Sequence, residues 1–214
     1  MKVKLKTPNK TKKTKKNIVK PLFPHSDWIS VVMGVIVLSK TDGMGHHLGH
    51  AGILFLMLAL IARPISFFWN QPLKYRRTIG IFAFATALAH AIYALFHVLD
   101  GNLVTIFTMT PKHQLGIWAG IISFAAITPA AVTSFPSLQK KLGKRWRQIH
   151  LLTVPAVALA TFHTVLVGPH YMAMAHVQIE VIDYLRTYGI AILTILVLFM
   201  RKRIFWSVLR LKKK

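Results

Sequence analysis

The chain has 214 residues, of which 54% are hydrophobic and only 15% charged; its mean hydropathy is +0.49. A soluble domain of this size needs a larger charged surface, so the sequence reads as an all-α, polytopic membrane helix bundle. The formal charge of +23 is spread as short basic clusters between apolar runs, a positive-inside pattern rather than a nucleic-acid-binding face. The absence of cysteine excludes disulfides, thiolate haem ligation and cysteine-held iron–sulfur clusters. Glycine-rich nucleotide fingerprints are also missing, which excludes the usual mode of NAD(P)H or flavin-dinucleotide binding.

Residues 1–20 contain nine lysines and too little apolar surface to fold, so a disordered basic tail is expected. The apolar run 22–39 is interrupted by Asp27, and its clean core from Trp28 to Leu38 would cover about 16 Å as a helix. It is assigned as a span because the lysine tail would otherwise lie opposite the other basic clusters. The following SKTDGMG has no small-x-small cleavage pattern, which argues against a signal peptide.

An outer loop with Asp42, His46, His47 and His50 is expected next, then a second span over 48–69. Arg63-Pro64 lies near the inner end of that span, where arginine can snorkel and proline can kink or end a helix. A short basic loop (Lys74, Arg76, Arg77) precedes a third span over 79–99 that holds His90 and His97. The fourth span covers 115–135. A basic inner loop, 139–148, then leads into a fifth span within 145–170 that carries His150 and His163. Pro155 lies between those two histidines and can change their relative facing. An outer loop with His170, His176, Glu180 and Asp183 precedes a sixth span over 188–200. Residues 201–214 form a basic juxtamembrane tail, and 21–200 the bundle. Six spans with both termini cytoplasmic place every large basic cluster on one side and four of the five acidic residues on the other.

The chemistry lies in histidines surrounded by hydrocarbon. An intramembrane polar side chain is costly unless it faces the bundle interior or holds something. Spans three and five both run from inside to outside, so depth can be counted from their basic starts. His90 lies 13 residues beyond Arg77, about 20 Å along a helix axis. His163 lies 16 residues beyond Arg147, about 24 Å on the same rise. The two are therefore at nearly equal depth in the outer half of the bilayer, as a six-coordinate b-type haem with two histidine ligands requires. His150 is only about 5 Å from the inner end, where it would ligate a second haem or bond a propionate or headgroup.

Two stretches carry a family resemblance. Arg76 to Phe84 reads RRTIGIFAF and is followed by Leu88-Ala89-His90. Thr133-Ser134 is followed by LGKRWRQIH from Leu142 to His150 and, thirteen residues on, by His163. These resemble motifs of the ferric reductase-like transmembrane domain family, over residues 46–168. The resemblance implies that His90, His150 and His163 stand at haem-associated positions, in an integral protein of the bacterial inner (plasma) membrane or its equivalent. It further implies electron transfer from a cytosolic flavin-dependent donor to an external oxidoreductase acceptor. Relatives carry aromatic residues after the two fifth-helix histidines; here Val154-Pro155 and Thr164-Val165-Leu166 stand there.

Two-haem relatives use an inner and an outer histidine on each of the third and fifth helices. Fourteen residues before His90 this chain has Arg76, and a guanidinium cannot ligate iron. One firmly bound haem b per chain is therefore expected, at His90 and His163. Arg76 is then free for a propionate or headgroup, and FMN or a quinone would dock near His150 and Trp146.

The competing functions are a histidine-dependent proton or metal-ion transporter and a cofactor-free accessory bundle. Neither an inverted repeat nor a mid-membrane acidic residue supports transport. The charge asymmetry also generates a topology prediction: reporters after Lys214 or at residue 1 should be cytoplasmic, and tags near Asn102 or Gln178 external. An external C-terminal reporter would remove the assignment of the basic loop 139–148 to the cytoplasm.

Overall fold

The structure, a computed structural model, describes residues 44–174 and 181–202. The first expected span, both terminal tails, His176 and Glu180 lie outside the described residues, apart from Arg201 and Lys202 at the start of the C-terminal tail. Among the described residues eight α-helices follow one another: α1 (Met44–Ile61), α2 (Gln71–Lys74), α3 (Arg76–His97), α4 (Pro111–Val132), α5 (Pro136–Leu142), α6 (Lys144–Leu151), α7 (Thr153–Met174) and α8 (Val181–Met200). Two 3-10 segments, Pro64–Phe67 and Leu103–Thr108, lie in the connections, and no strand occurs among the described residues. Among the described residues four helical stretches are long and apolar enough to cross a membrane: Met44–Ile61, Arg76–His97, Pro111–Val132 and Lys144–Gly168. The apolar part of α8, Tyr184–Met200, is shorter. The chain is an integral membrane protein with an all-helical fold.

Several boundaries differ from the sequence reading. His46, His47 and His50, expected in an outer loop, lie in the first turns of α1. Nothing between Met44 and Gly49 breaks a helix, and the glycines of this segment serve packing rather than turning. The same helix stops at Ile61 instead of continuing to Trp69. Pro64 has no N–H to continue the ladder, so the chain tightens into a 3-10 turn. The fifth span is interrupted at Leu152, between α6 and α7. Pro155 removes the N–H that would bond Leu151, and the amide of Leu152 instead reaches Ile149 at 3.1 Å. His150 and His163 thus lie on either side of the interruption. Asp183, expected in a loop, falls within α8, and His170 within α7.

Packing follows from which helices can approach closely. α1 packs most extensively on α3, and α4 on α7; α8 covers α7 and α1. Half of the apolar window of α1 is buried against 11% of that of α3, so α1 is central and α3 faces lipid. The buried face of α4 is made of Gly116, Ala119, Ser123, Ile127 and Ala130, mostly small residues that let membrane helices come together. A core of Ile53, Leu56, Met57, Leu60, Ala83, Ile127, Ala156, Val157, Ile190 and Val197 joins α1, α3, α4, α7 and α8.

Hydroxyls supply the polar links inside this core. Ser123 donates to the carbonyl of Ala156 at 2.7 Å, joining α4 to α7. Thr161 and Thr194 share a hydrogen bond of 2.7 Å between α7 and α8. Thr187, equally buried, has no hydrogen-bond partner for its hydroxyl among the described residues. These two threonines should therefore respond oppositely to the same change. Thr194→Val should lower unfolding free energy in detergent by about 1 kcal/mol, whereas Thr187→Val should be neutral or stabilising because it removes an unsatisfied group. Equal destabilisation by both would contradict the assigned hydrogen bonding.

Candidate functional site

His90 projects from α3 and His163 from α7, and their rings meet in the bundle with centroids 6.1 Å apart and planes inclined by 72°. Each is held in the same way. Nδ1 of His90 lies 2.7 Å from the carbonyl oxygen of Gly45 on α1. Nδ1 of His163 lies 2.8 Å from the carbonyl oxygen of Gly116 on α4. A carbonyl only accepts, so in both rings Nδ1 carries the proton and donates it, and Nε2 keeps its lone pair. This is the arrangement that prepares a neutral imidazole to ligate a metal, the carbonyl fixing the tautomer and orientation. A metal ion between two imidazoles takes each ring nitrogen at about 2 Å, which sets the ring centroids about 6 Å apart. The observed separation fits a shared metal atom.

The matched depth of His90 and His163 in the sequence thus corresponds to direct proximity. At the C-terminal end of α3, His97 stacks on Tyr93 with centroids 4.2 Å apart. His46 and His50, one helical turn apart, bring their rings to 3.8 Å. With His47, Leu54, Leu185 and Arg186 they line an open cleft of about 410 Å³ between α1 and α8. These histidines therefore form a patch on a helix face, where the sequence suggested only a loop.

At the start of α3 and on α6 the remaining residues singled out by sequence form a separate group. Trp146 packs its indole on His150, with centroids 4.1 Å apart. Its N–H donates to the carbonyl of Thr133 at 3.1 Å, tying α6 to the end of α4. Nε2 of His150 is buried without a hydrogen-bond partner among the described residues. Arg76 donates through Nε to the carbonyl of Ala59 at 2.9 Å. That carbonyl belongs to the last turn of α1, whose partial negative charge suits a guanidinium.

Four glycines complete the paired-histidine site, and none was singled out from sequence: Gly45, Gly49, Gly116 and Gly120. A side chain at Gly49 would press on the His90 ring, and one at Gly120 on the His163 ring. Their signal was available as two pairs spaced four residues apart, a pattern that commonly marks close helix approach in membranes.

Comparison with known proteins identifies the family. The family described as "Ferric reductase like transmembrane component" matches residues 48–161. The chain belongs to this family. The match runs from α1 into α7, takes in Arg76, His90, Trp146 and His150, and stops just before His163. A protein-methionine-sulfoxide reductase heme-binding subunit MsrQ from Brucella anthropi is 36% identical over 124 residues, covering 56% of this chain and 55% of its own. The MsrQ of Brucella ovis is 37% identical over 121 residues, covering 55% and 54%, and that of Brucella canis has the same figures. The chain thus spans about half the length of the curated relatives it matches.

Proposed function

We propose that this chain is a haem b-binding transmembrane electron-transfer subunit, with His90 and His163 as the two axial ligands of one haem. The observation that carries this reading is the pair of imidazoles 6.1 Å apart, each anchored through Nδ1 with Nε2 left to bind. No third metal-binding side chain joins them: no group of three or more His, Cys, Asp or Glu suited to an ion occurs among the described residues. A zinc ion takes three or four protein ligands, whereas haem iron brings four nitrogens of its own and needs only two. The heme-binding subunits it resembles support the same choice over an ion transporter.

When bound, the haem supplies reversible one-electron carriage between ferric and ferrous iron. The protein's own residues do the rest. His90 and His163 would hold the haem through their two Nε2 atoms. The surrounding apolar helices exclude water from the site. On the inner side Lys140, Lys141, Lys144, Arg145 and Arg147 are all exposed on α5 and α6 and offer a basic docking face to an acidic, cytosolic, flavin-dependent donor. FMN or a quinone would bridge the inner half beside His150 and Trp146. The acceptor lies outside, and by likeness to MsrQ it belongs to a methionine sulfoxide reductase system.

An absorption spectrum of the purified protein tests the reading directly, with a Soret band and sharp reduced bands expected and a colourless protein overturning it. His90→Ala or His163→Ala should abolish the low-spin spectrum, while His97→Ala should leave it largely intact. A normal spectrum after His163→Ala would assign the second ligand elsewhere. One haem per chain is expected by pyridine haemochrome; a ratio near two, with the second haem lost in His150→Ala, would replace the single-haem reading.

A further prediction concerns the basic face. Charge reversal of Lys140, Lys141 and Arg145 should slow reduction by a soluble flavin donor and weaken its salt dependence without moving the haem bands. Unchanged reduction kinetics would place the donor elsewhere.

A further inference from the structure

The two histidines are seated by two copies of one device. On α1, Gly45 and Gly49 are one helical turn apart and face His90 of α3. On α4, Gly116 and Gly120 have the same spacing and face His163 of α7. In each pair the first glycine gives its carbonyl to Nδ1 and the second lies against the imidazole. The chain separation from carbonyl to histidine is also similar, 45 residues in one unit and 47 in the other. The helix pairs concerned, α1 with α3 and α4 with α7, are the two most extensive packings in the protein.

Helix geometry explains why the second glycine matters. The carbonyl of residue i in a helix already accepts from the amide of i+4, leaving one lone pair for another donor. Side chains at i and i+4 lie on the same face, one above the other. A side chain at i+4 therefore stands beside the carbonyl of i and screens the approach to it. Glycine there leaves the carbonyl open. The close contacts bear this out: a Cβ added at Gly49 would lie 3.2 Å from both Cε1 and Nδ1 of His90. One added at Gly120 would lie 2.8 Å from Nδ1 of His163, closer than real Cβ atoms approach. The first glycines are constrained independently. A Cβ at Gly45 would meet the Tyr93 ring at 2.6 Å, and one at Gly116 would meet Val167 at 2.5 Å.

We infer that Gly49 and Gly120 are positioning residues for the two imidazoles: by lacking a side chain they expose the Gly45 and Gly116 carbonyls, which anchor Nδ1–H and so present Nε2 of both rings to a common metal atom. The inference rests on the haem reading for the identity of that atom, but the anchoring is a property of the polypeptide. The two sites are graded. Gly120→Ala forces the His163 ring to move, whereas Gly49→Ala asks His90 to give by only a few tenths of an ångström. Weakening the Nδ1–H bond lowers the basicity of the ligand nitrogen, so ferric iron is less favoured and the midpoint potential rises.

The test uses the full chain in detergent with three variants. Gly189→Ala is the control, because a Cβ there meets nothing within 4 Å. Gly120→Ala should raise the haem midpoint potential, alter the low-spin ferric EPR signature and weaken haem retention by about 10- to 100-fold. Gly49→Ala should shift the same quantities in the same direction but less, and Gly189→Ala should match wild type. Imidazole nitrogen NMR of the haem-free protein provides a separate readout: His163 should be the Nδ1–H tautomer in wild type and lose that preference in Gly120→Ala. Circular dichroism and gel filtration identify any variant that misfolds, in which case the milder Gly49→Ala carries the comparison. Wild-type EPR, potential and tautomer in both glycine variants would overturn the inference while leaving the haem reading intact. A wild-type protein that binds no haem but shows the anchored tautomer would do the reverse.

Discussion

An imidazole in hydrocarbon must find a home for its N–H, and most of this structure follows from how that requirement is met twice. Unsatisfied polar groups inside a membrane cost several kcal/mol, and helices consume their own backbone groups internally. A free acceptor is therefore scarce. Away from helix ends, the acceptors a helix offers are the second lone pairs of its carbonyls, and these are reached only where the adjacent surface is bare. His90 and His163 both use a carbonyl of this kind, on Gly45 and Gly116. The need for bare surface brings glycine and alanine to the interfaces, and these small residues bring α1 against α3 and α4 against α7. The packing of the bundle and the tautomer of the histidines are set by the same residues.

The two helix pairs are then held together by contacts of a different character. Interhelical apolar contact in lipid has little hydrophobic driving force behind it, because lipid tails solvate leucine as well as a neighbouring helix does. Specificity falls to shape and to a few hydrogen bonds. Ser123 to Ala156, Thr161 to Thr194 and Arg76 to Ala59 join α4 with α7, α7 with α8 and α1 with α3. α7 takes part in two of these links, and α1 is the most enclosed span, half buried while α3 and the α6–α7 span remain mostly exposed to lipid. Large apolar residues on the outer surface, such as Ile92, Phe96, Ile122 and Ile195, are what a lipid-facing helix requires.

This division explains what could be read from the sequence. Hydropathy and charge alternation mark the apolar runs of α3, α4, α7 and α8, because length and basic flanks are composition properties. The pairing of His90 with His163 was legible as well, since both helices start from basic clusters and rise by the same increment per residue. Helix boundaries were less so. The start of α1 among His46, His47 and His50 carries no hydropathy signal, and the break at Leu152 lies three residues before the proline that causes it. The glycine pairs were visible as spacing but silent as to role. A glycine four residues from another marks close approach somewhere on a helix, and only the structure shows which side chain fills the space.

The group around His150 shows how partnership shapes a site. Arg76, Trp146 and His150 were grouped by sequence as a second set of cofactor contacts, and two of them each commit one donor to the bundle itself. The Nε–H of Arg76 is committed to the end of α1, and the indole N–H of Trp146 to the end of α4. The first fastens the start of α3 to α1, and the second fastens the short basic α6 to α4. His150 differs because its Nε2 is enclosed without a partner among the described residues and its ring is already oriented by the stacked indole. An enclosed nitrogen with a fixed ring and no partner is costly to keep in a low-dielectric setting. Of these three residues, His150 is therefore the one with an enclosed nitrogen left over once the fold has been accounted for.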